Sequence, residues 1–212
     1  MLLLAVETSS YVCGVSLCTP EGEKDQQILI DTKIHAEKLA GICNDLLTRN
    51  GINVSQLDGI AVSAGPGSFT GLRIGMSFVK GLAYSDKIPI AAVNTLFAFR
   101  YATQHIPENN DNPVWVIHSH RDYIYTLGKN EEKIYYLKVS EVKKKYPECQ
   151  QVLTNGGLSE LSSMKESIYN ILPAWIGDYA LHGESSSFTT TYDQVKINYG
   201  SRYDPVRWQT HG

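Results

Sequence analysis

Apolar positions in this chain switch repeatedly between a spacing of two and a spacing near 3.6 residues, and the switches map an alternation of strands and helices. Residues 2–7, 12–17 and 27–32 are short apolar or alternating runs, separated by Ser9-Ser10-Tyr11 and by Pro20-Glu21-Gly22. They predict a three-stranded antiparallel meander. From 35 to 49 the apolar residues Leu39, Cys43, Leu46 and Leu47 fall on one helical face, with Gly51 as a stop just beyond. A strand over 59–64, a helix over 70–85, a strand over 89–93 and a helix over 95–105 follow. Residues 106–112 (IPENNDN) are the best linker candidate, which divides the chain into subdomains at 1–106 and 107–212. The second half opens like the first, with a strand at 114–117, a polar turn at 118–122 and a hairpin of 123–128 with 133–138. A short helix over 139–146, a strand over 151–154 ending in Asn155-Gly156-Gly157, and a helix over 173–181 opened by Pro173 complete the pattern. The Ser-, Thr- and Tyr-rich end of the chain shows little periodicity and is assigned no element.

Chemistry concentrates where the strand at 59–64 meets the helix at 70–85, in the stretch SAGPGSFTGLRIGMSFVK over 63–80. Gly65 and Gly67 reach backbone angles closed to other residues, and Pro66 fixes its own φ. Ser68 or Thr70 caps the helix, and the amides of Phe69 to Gly71 then face outward with the helix dipole behind them, as in an anion site. The same residues also suit an ordinary strand-to-helix turn, because the lysine of a Walker loop is absent and the nearest cations, Arg73 and Lys80, lie inside the helix. Glu7, the first charge in the chain, either faces a cleft from the end of its strand or is a strand-end charge in water. His35 has Leu39 one turn later, so a first-turn polar contact fits it better than metal ligation.

The helix over 70–85 carries two apolar stripes, Leu72, Met76, Val79 and Ala83 on one and Phe78 and Leu82 on the other. One stripe packs a helix on its own sheet. The second, with Gly71, Gly75 and Gly81 permitting close approach, predicts either a neighbour beyond the domain or a later helix of the same chain.

Composition narrows the reading. A chain of 212 residues with net charge -3 and pI near 6.1 lacks the basic footprint of a protein that grips nucleic acid unaided. Lys143-Lys144-Lys145 reads as a solvated helix face. Cysteines at 13, 18, 43 and 149 form no CxxC pair or finger spacing and suit buried thiols in a reducing compartment. The initial LLLAV is too short for a signal-peptide core and no stretch reaches membrane-spanning length, so a cytoplasmic location is expected.

With these residues laid out, the chain resembles the TsaB (YeaZ) family of the actin, sugar kinase and Hsp70 superfold, which is ribonuclease H-like. The resemblance is carried by LLAVETSS, by HAEKL at 35–39, by AGPGSFTGLRIG followed by KGLAY, and by residues 90–96. Later matches are looser: residues 118–125, with His118 in place of the family's acidic residue, Asn155-Gly156-Gly157, Pro173-Ala174, and an ending at 203–207. The resemblance implies an α/β fold of two subdomains, the second smaller, with an irregular tail. It implies a noncatalytic scaffold subunit for making threonylcarbamoyladenosine on tRNA, one that binds and activates TsaD, with TsaE as third member and tRNA reached through the complex. Alone, such a chain pairs with itself. No metal and no cofactor of its own are implied, with ATP or ADP admissible at the complex interface. In the catalytic relative, histidines stand where this chain has Thr95 and Phe99; a hydroxyl and a phenyl ring cannot replace two imidazoles around a metal.

Residue assignments follow. A vestigial nucleotide or phosphate site takes in Glu7, Ser9, Gly65, Gly67, Ser68, Thr70 and Gly71. The partner surface takes in Leu39, Cys43 and Leu46 with Leu72, Met76, Val79 and Ala83, where a glutamate at 76 or 79 is expected to abolish pairing and spare the monomer. The competing reading is an ATP-dependent small-molecule kinase of the same superfold, which needs a glycine-rich hairpin after the first strand and a second acid that the sequence does not show. A peptidase has the least support, since no Ser or Cys sits in a nucleophile motif.

Overall fold

Leu3–Glu7 (β1) is buried along its whole length, as befits a strand with neighbours on both edges and helices on both faces. It pairs antiparallel with Val12–Thr19 (β2), Glu7 opposite Gly14, and β2 pairs antiparallel with Gly22–Ile30 (β3). The predicted meander is present, with β3 beginning directly across a tight turn in which Thr19 faces Gly22. His35–Arg49 (α1) leads to Gly59–Ser63 (β4), parallel to β1, and Phe69–Tyr84 (α2) leads to Ile90–Val93 (β5), parallel to β4. Thr95–Thr103 (α3) ends the first series. This is a computed structural model, and it describes residues 1–31, 34–106, 112–158, 164–183 and 187–199. Most of the linker candidate, and the ending at 203–207, lie outside the described residues.

The second series repeats the order. Val114–His118 (β6), Tyr123–Gly128 (β7) and Tyr135–Lys138 (β8) form a meander; Gln151–Thr154 (β9) pairs parallel to β6 and Lys165–Ile168 (β10) parallel to β9. Both sheets therefore run meander, first strand, then parallel strands outward. The repeat is reduced: where the first series has the 15-residue α1, the second has a 3-10 turn over Val139–Glu141 and the four-residue helix Val142–Lys145 (α4).

The two-residue period of β1 sorts the core. Leu4 and Val6 point toward α1 and α2, packing with Leu46, Met76 and Val79. Leu3 and Ala5 point the other way, into a core that contains Leu96 and Phe99 of α3, Trp115 and Ile117 of β6, and Ile176 of Pro173–His182 (α5). Alpha helix α5 follows the second sheet yet lies on the first, so close that a Cβ on Gly177 would meet Cys18 Sγ and Ala5. After it, Phe188–Thr189 (β11) pairs antiparallel with β5. Residues 187–199 then form a strap touching both ends of α2. Tyr192 donates its hydroxyl hydrogen toward the carbonyls of Ala83 and Ile88, Val195 is buried in the first core, and Asn198 N–H donates to Ala64 O at 2.7 Å. The described part of the chain end read as irregular, up to residue 199, is thus part of the packing, and chain beyond the expected cut at 106/107 completes the first sheet. Among the described residues, no helix is long and apolar enough to cross a membrane.

Candidate functional site

The loops after β1, β6 and β9 converge on one cleft, and the cavity there holds about 650 Å³, within the range of small-ligand sites. Residues 9–11, 118–120 and 155–157 supply three of its walls, and the start of α2 supplies a fourth. Of the expected phosphate-site residues, Ser9, Gly67, Ser68, Thr70 and Gly71 line it; Glu7 and Gly65 do not.

Glu7 is a buried carboxyl rather than a strand-end charge in water, with no exposed surface. Its Oε1 accepts from the backbone N–H and the hydroxyl of Ser9, both at 2.6 Å, while Oε2 has no hydrogen-bond partner. Burial pushes its pKa up to about 7, against the opposing pull of the Ser9 donors. Gly65 sits behind the cavity at φ +104°, where a Cβ would strike Asn198 O; its N–H donates to Thr95 Oγ1 at 3.2 Å.

The glycines of the 63–80 stretch serve close packing. A Cβ on Gly67 would lie 2.5 Å from Ser9 O, and Cβ atoms on Gly71 and Gly75 would collide with the Thr8 carbonyl and hydroxyl oxygens. The Thr8 hydroxyl donates to Gly71 O at 2.9 Å. The helix start is thereby pressed against the β1–β2 turn. Ser68, rather than Thr70, caps the helix: its Oγ accepts from Gly71 N at 3.2 Å, and its own N–H donates to Ser9 O at 2.7 Å. Two amides of this turn are committed to the fold before any anion arrives. Arg73 is committed as well, its guanidinium 3.8 Å from the centre of the Phe69 ring and its Nε donating to the Tyr199 hydroxyl.

Thr95 and Phe99 are both interior. The Thr95 hydroxyl accepts from Gly65, and the Phe99 ring stacks on Trp175 with centroids 5.9 Å apart. Among the described residues no group of three or more His, Cys, Asp or Glu is placed to hold a metal, and no Asp or Glu side chain is on the cavity wall.

Residues 30–191 match the model of a family described as TsaD: tRNA N6-adenosine threonylcarbamoyltransferase. The chain belongs to the TsaD family. Within that family its resemblance to TsaB (YeaZ) also holds. It is 29% identical over 134 residues to the tRNA threonylcarbamoyladenosine biosynthesis protein TsaB of Haemophilus influenzae, 63% of this chain and 56% of the relative. With the TsaB of Escherichia coli it shares 32% over 96 residues, 45% of this chain and 41% of the relative. The chain thus spans about half the length of the curated relatives it matches. The solved structure of YeaZ from Pseudomonas aeruginosa superposes with a TM-score of 0.74 at 22% identity, covering 93% of this chain and 99% of that one, which establishes a shared fold.

The seven residues assigned above to a TsaB-type partner surface are corrected by the packing. Leu39, Cys43, Leu46, Leu72, Met76, Val79 and Ala83 are all buried inside the single chain. They form the inner stripes of α1 and α2, drawn onto the sheet because a single helix face must cover Leu4 and Val6. The outward positions of α2 are Phe78 and Leu82, half-buried, and Tyr84, exposed. On the cleft side, the sequence singles out His35, His118 and Asn155, and names His120 among the histidines of the peptidase reading, but it does not single out Tyr11 and Tyr199. No local period signals these two, since one comes from a loop and the other from the strap. His35 does make its polar contact, Nε2 donating to Val12 O at 2.9 Å.

Proposed function

We propose that the protein is a noncatalytic subunit in the formation of threonylcarbamoyladenosine on tRNA, binding and activating a TsaD partner, with TsaE as a further member. The observation that carries the reading is the pairing of named TsaB relatives with Thr95 and Phe99. The first hydroxyl is held by Gly65 and the second ring is stacked in the core, so neither is free to take the place of a metal-binding imidazole. In this reading tRNA is met through the complex, which fits the acidic net charge. ATP or ADP belongs at the complex interface, and the chain pairs with itself when TsaD is absent.

The test mixes the purified chain with TsaD from the same organism and measures particle size by light scattering. Association at micromolar concentration is expected, together with loss of threonylcarbamoyladenosine from tRNA hydrolysates when the gene is deleted. A chain that stays separate, in cells whose tRNA modification is unchanged by its loss, overturns the proposal.

A further inference from the structure

The strap ends in a bridge between the two halves of the molecule. The Tyr199 carbonyl accepts the hydroxyl hydrogen of Tyr125, on β7, at 2.7 Å, and the Tyr199 hydroxyl accepts from Arg73 Nε, on α2, at 3.1 Å. The Tyr199 ring lies against Phe69 with centroids 5.1 Å apart, and Arg73 covers that same Phe69 ring. Phe69, Tyr125 and Tyr199 all border the cavity, so the bridge forms its flank between α2 and β7. We propose that residues 196–199 are a hinged latch, which pivots about Val195 and opens or closes that flank as a unit while the rest of the chain stays folded.

The strap divides into a fixed part and an arm. In the fixed part, Tyr192 bonds to Ala83 O and Ile88 O, and the N–H groups of Gln194 and Val195 bond back to Thr191 O and Tyr192 O. Val195 itself is 3% exposed in the first core. Beyond it, Lys196 and Asn198 are exposed, Ile197 and Tyr199 are half-buried, and the arm belongs to neither sheet. A segment with little buried surface and no ladder opens at a fraction of the free energy of global unfolding. The arm nevertheless has a fitted seat. Asn198 N–H donates to Ala64 O at 2.7 Å, and Gly65, at φ +104°, leaves the place of a Cβ to Asn198 O.

Closed, the latch ties the start of α2 to β7 through one residue. Open, it uncovers Phe69 and Arg73, frees the Tyr125 hydroxyl and widens the cleft from the α2 side. Each half of the molecule contributes one bond to the closed position, Arg73 from the first and Tyr125 from the second. Both bonds break in the opening, so the loss of either one favours it. The bond from Arg73 has a charged donor, which strengthens it. By contrast, the Tyr146 hydroxyl, which donates to Glu131 Oε2 at 2.7 Å elsewhere in the second half, stays bonded when the latch opens and is lost only when the chain unfolds.

The experiment is amide hydrogen exchange of the full chain alone, followed residue by residue by NMR with and without low urea. The Asn198 amide is expected to exchange faster than that of Val6 in β1, and with little response to urea, because a local opening exposes little surface. Tyr125→Phe and Arg73→Gln are each expected to speed Asn198 exchange roughly two- to tenfold, the worth of one hydrogen bond. Tyr146→Phe should speed exchange at Val6, through lower global stability, and leave Asn198 as in the wild type. If Tyr125→Phe or Arg73→Gln fails to fold, as judged by melting, Tyr199→Phe, which keeps the carbonyl and loses only the hydroxyl, takes its place. Exchange of Asn198 that tracks Val6 in urea and across the variants, or that is unchanged when either latch bond is removed, overturns the proposal. No partner is present in the sample, so the outcome is independent of the TsaD reading.

Discussion

Glu7 is the residue whose environment departs furthest from what its place at a strand end implies. Its carboxyl titrates near 4.5 when unfolded and near 7 when buried, so between those values the native state keeps a proton that the unfolded chain has released. Stability therefore falls as pH rises through that window and levels off above it, by about 3 kcal/mol in all. Glu7→Gln remains neutral and still accepts from Ser9. Urea midpoints measured at pH values on either side of the window should differ in the wild type and converge in the variant; an unchanged difference would assign the effect to another group. Glycines make the second residue-scale prediction. Gly71→Ala drives a Cβ into the Thr8 carbonyl and should cost about 2 kcal/mol or more, since neither backbone can yield. Gly81→Ala, with open space around it, should stabilise α2 by about 0.5–1 kcal/mol. Denaturant unfolding of the pair decides whether Gly71 is a packing glycine. The sequence marked these glycines as unusual, yet whether they faced phosphate, partner or their own chain depended on Thr8, more than sixty residues away.

At the scale of elements, α2 was legible in its bounds and misleading in its faces. Helical spacing reveals which residues share a stripe, but two stripes of similar apolarity compete for the sheet, and the sequence does not rank them. Packing ranks them: Val79 is fully buried while Phe78 is half-buried. Val79→Glu should therefore unfold the single chain, because a lone carboxylate would enter the core. Phe78→Glu should melt close to wild type, and in the proposed complex it should weaken association with TsaD. Thermal melts and light scattering of the two variants read both effects; a normally melting Val79→Glu chain would contradict the burial described here. Beta strands β10 and β11 escaped notice for related reasons. Lys165–Ile168 reads KESI, with no alternation, because an edge strand has little to bury, and Phe188–Thr189 is too short for any period. The strap has none either, since Tyr192 and Tyr199 are placed by what they reach on α2 and Asn198 by Ala64.

Across the whole molecule, two sheets of one strand order share a core in which Leu3 and Ala5 of the first sheet lie in one cluster with Trp115 and Ile117 of the second. Alpha helix α5 and β11 cross back to cover the first sheet. A fragment ending at residue 106 should accordingly show no cooperative unfolding, whereas the full chain should melt in a single transition; calorimetry of both checks this, and a cooperatively melting fragment would mean the halves are separable. The sequence by itself determined what local spacing can encode: the meanders, the bounds of α1, α2 and α5, the GPGSFTG turn and the family. Only the tertiary structure decided that Glu7 is buried, that the turn's amides serve Ser9 and Ser68, that the inner stripes are closed, and that three histidines meet in one cleft. Those outcomes depend on which distant segments touch, and contacts between segments far apart in the chain leave no period in either of them.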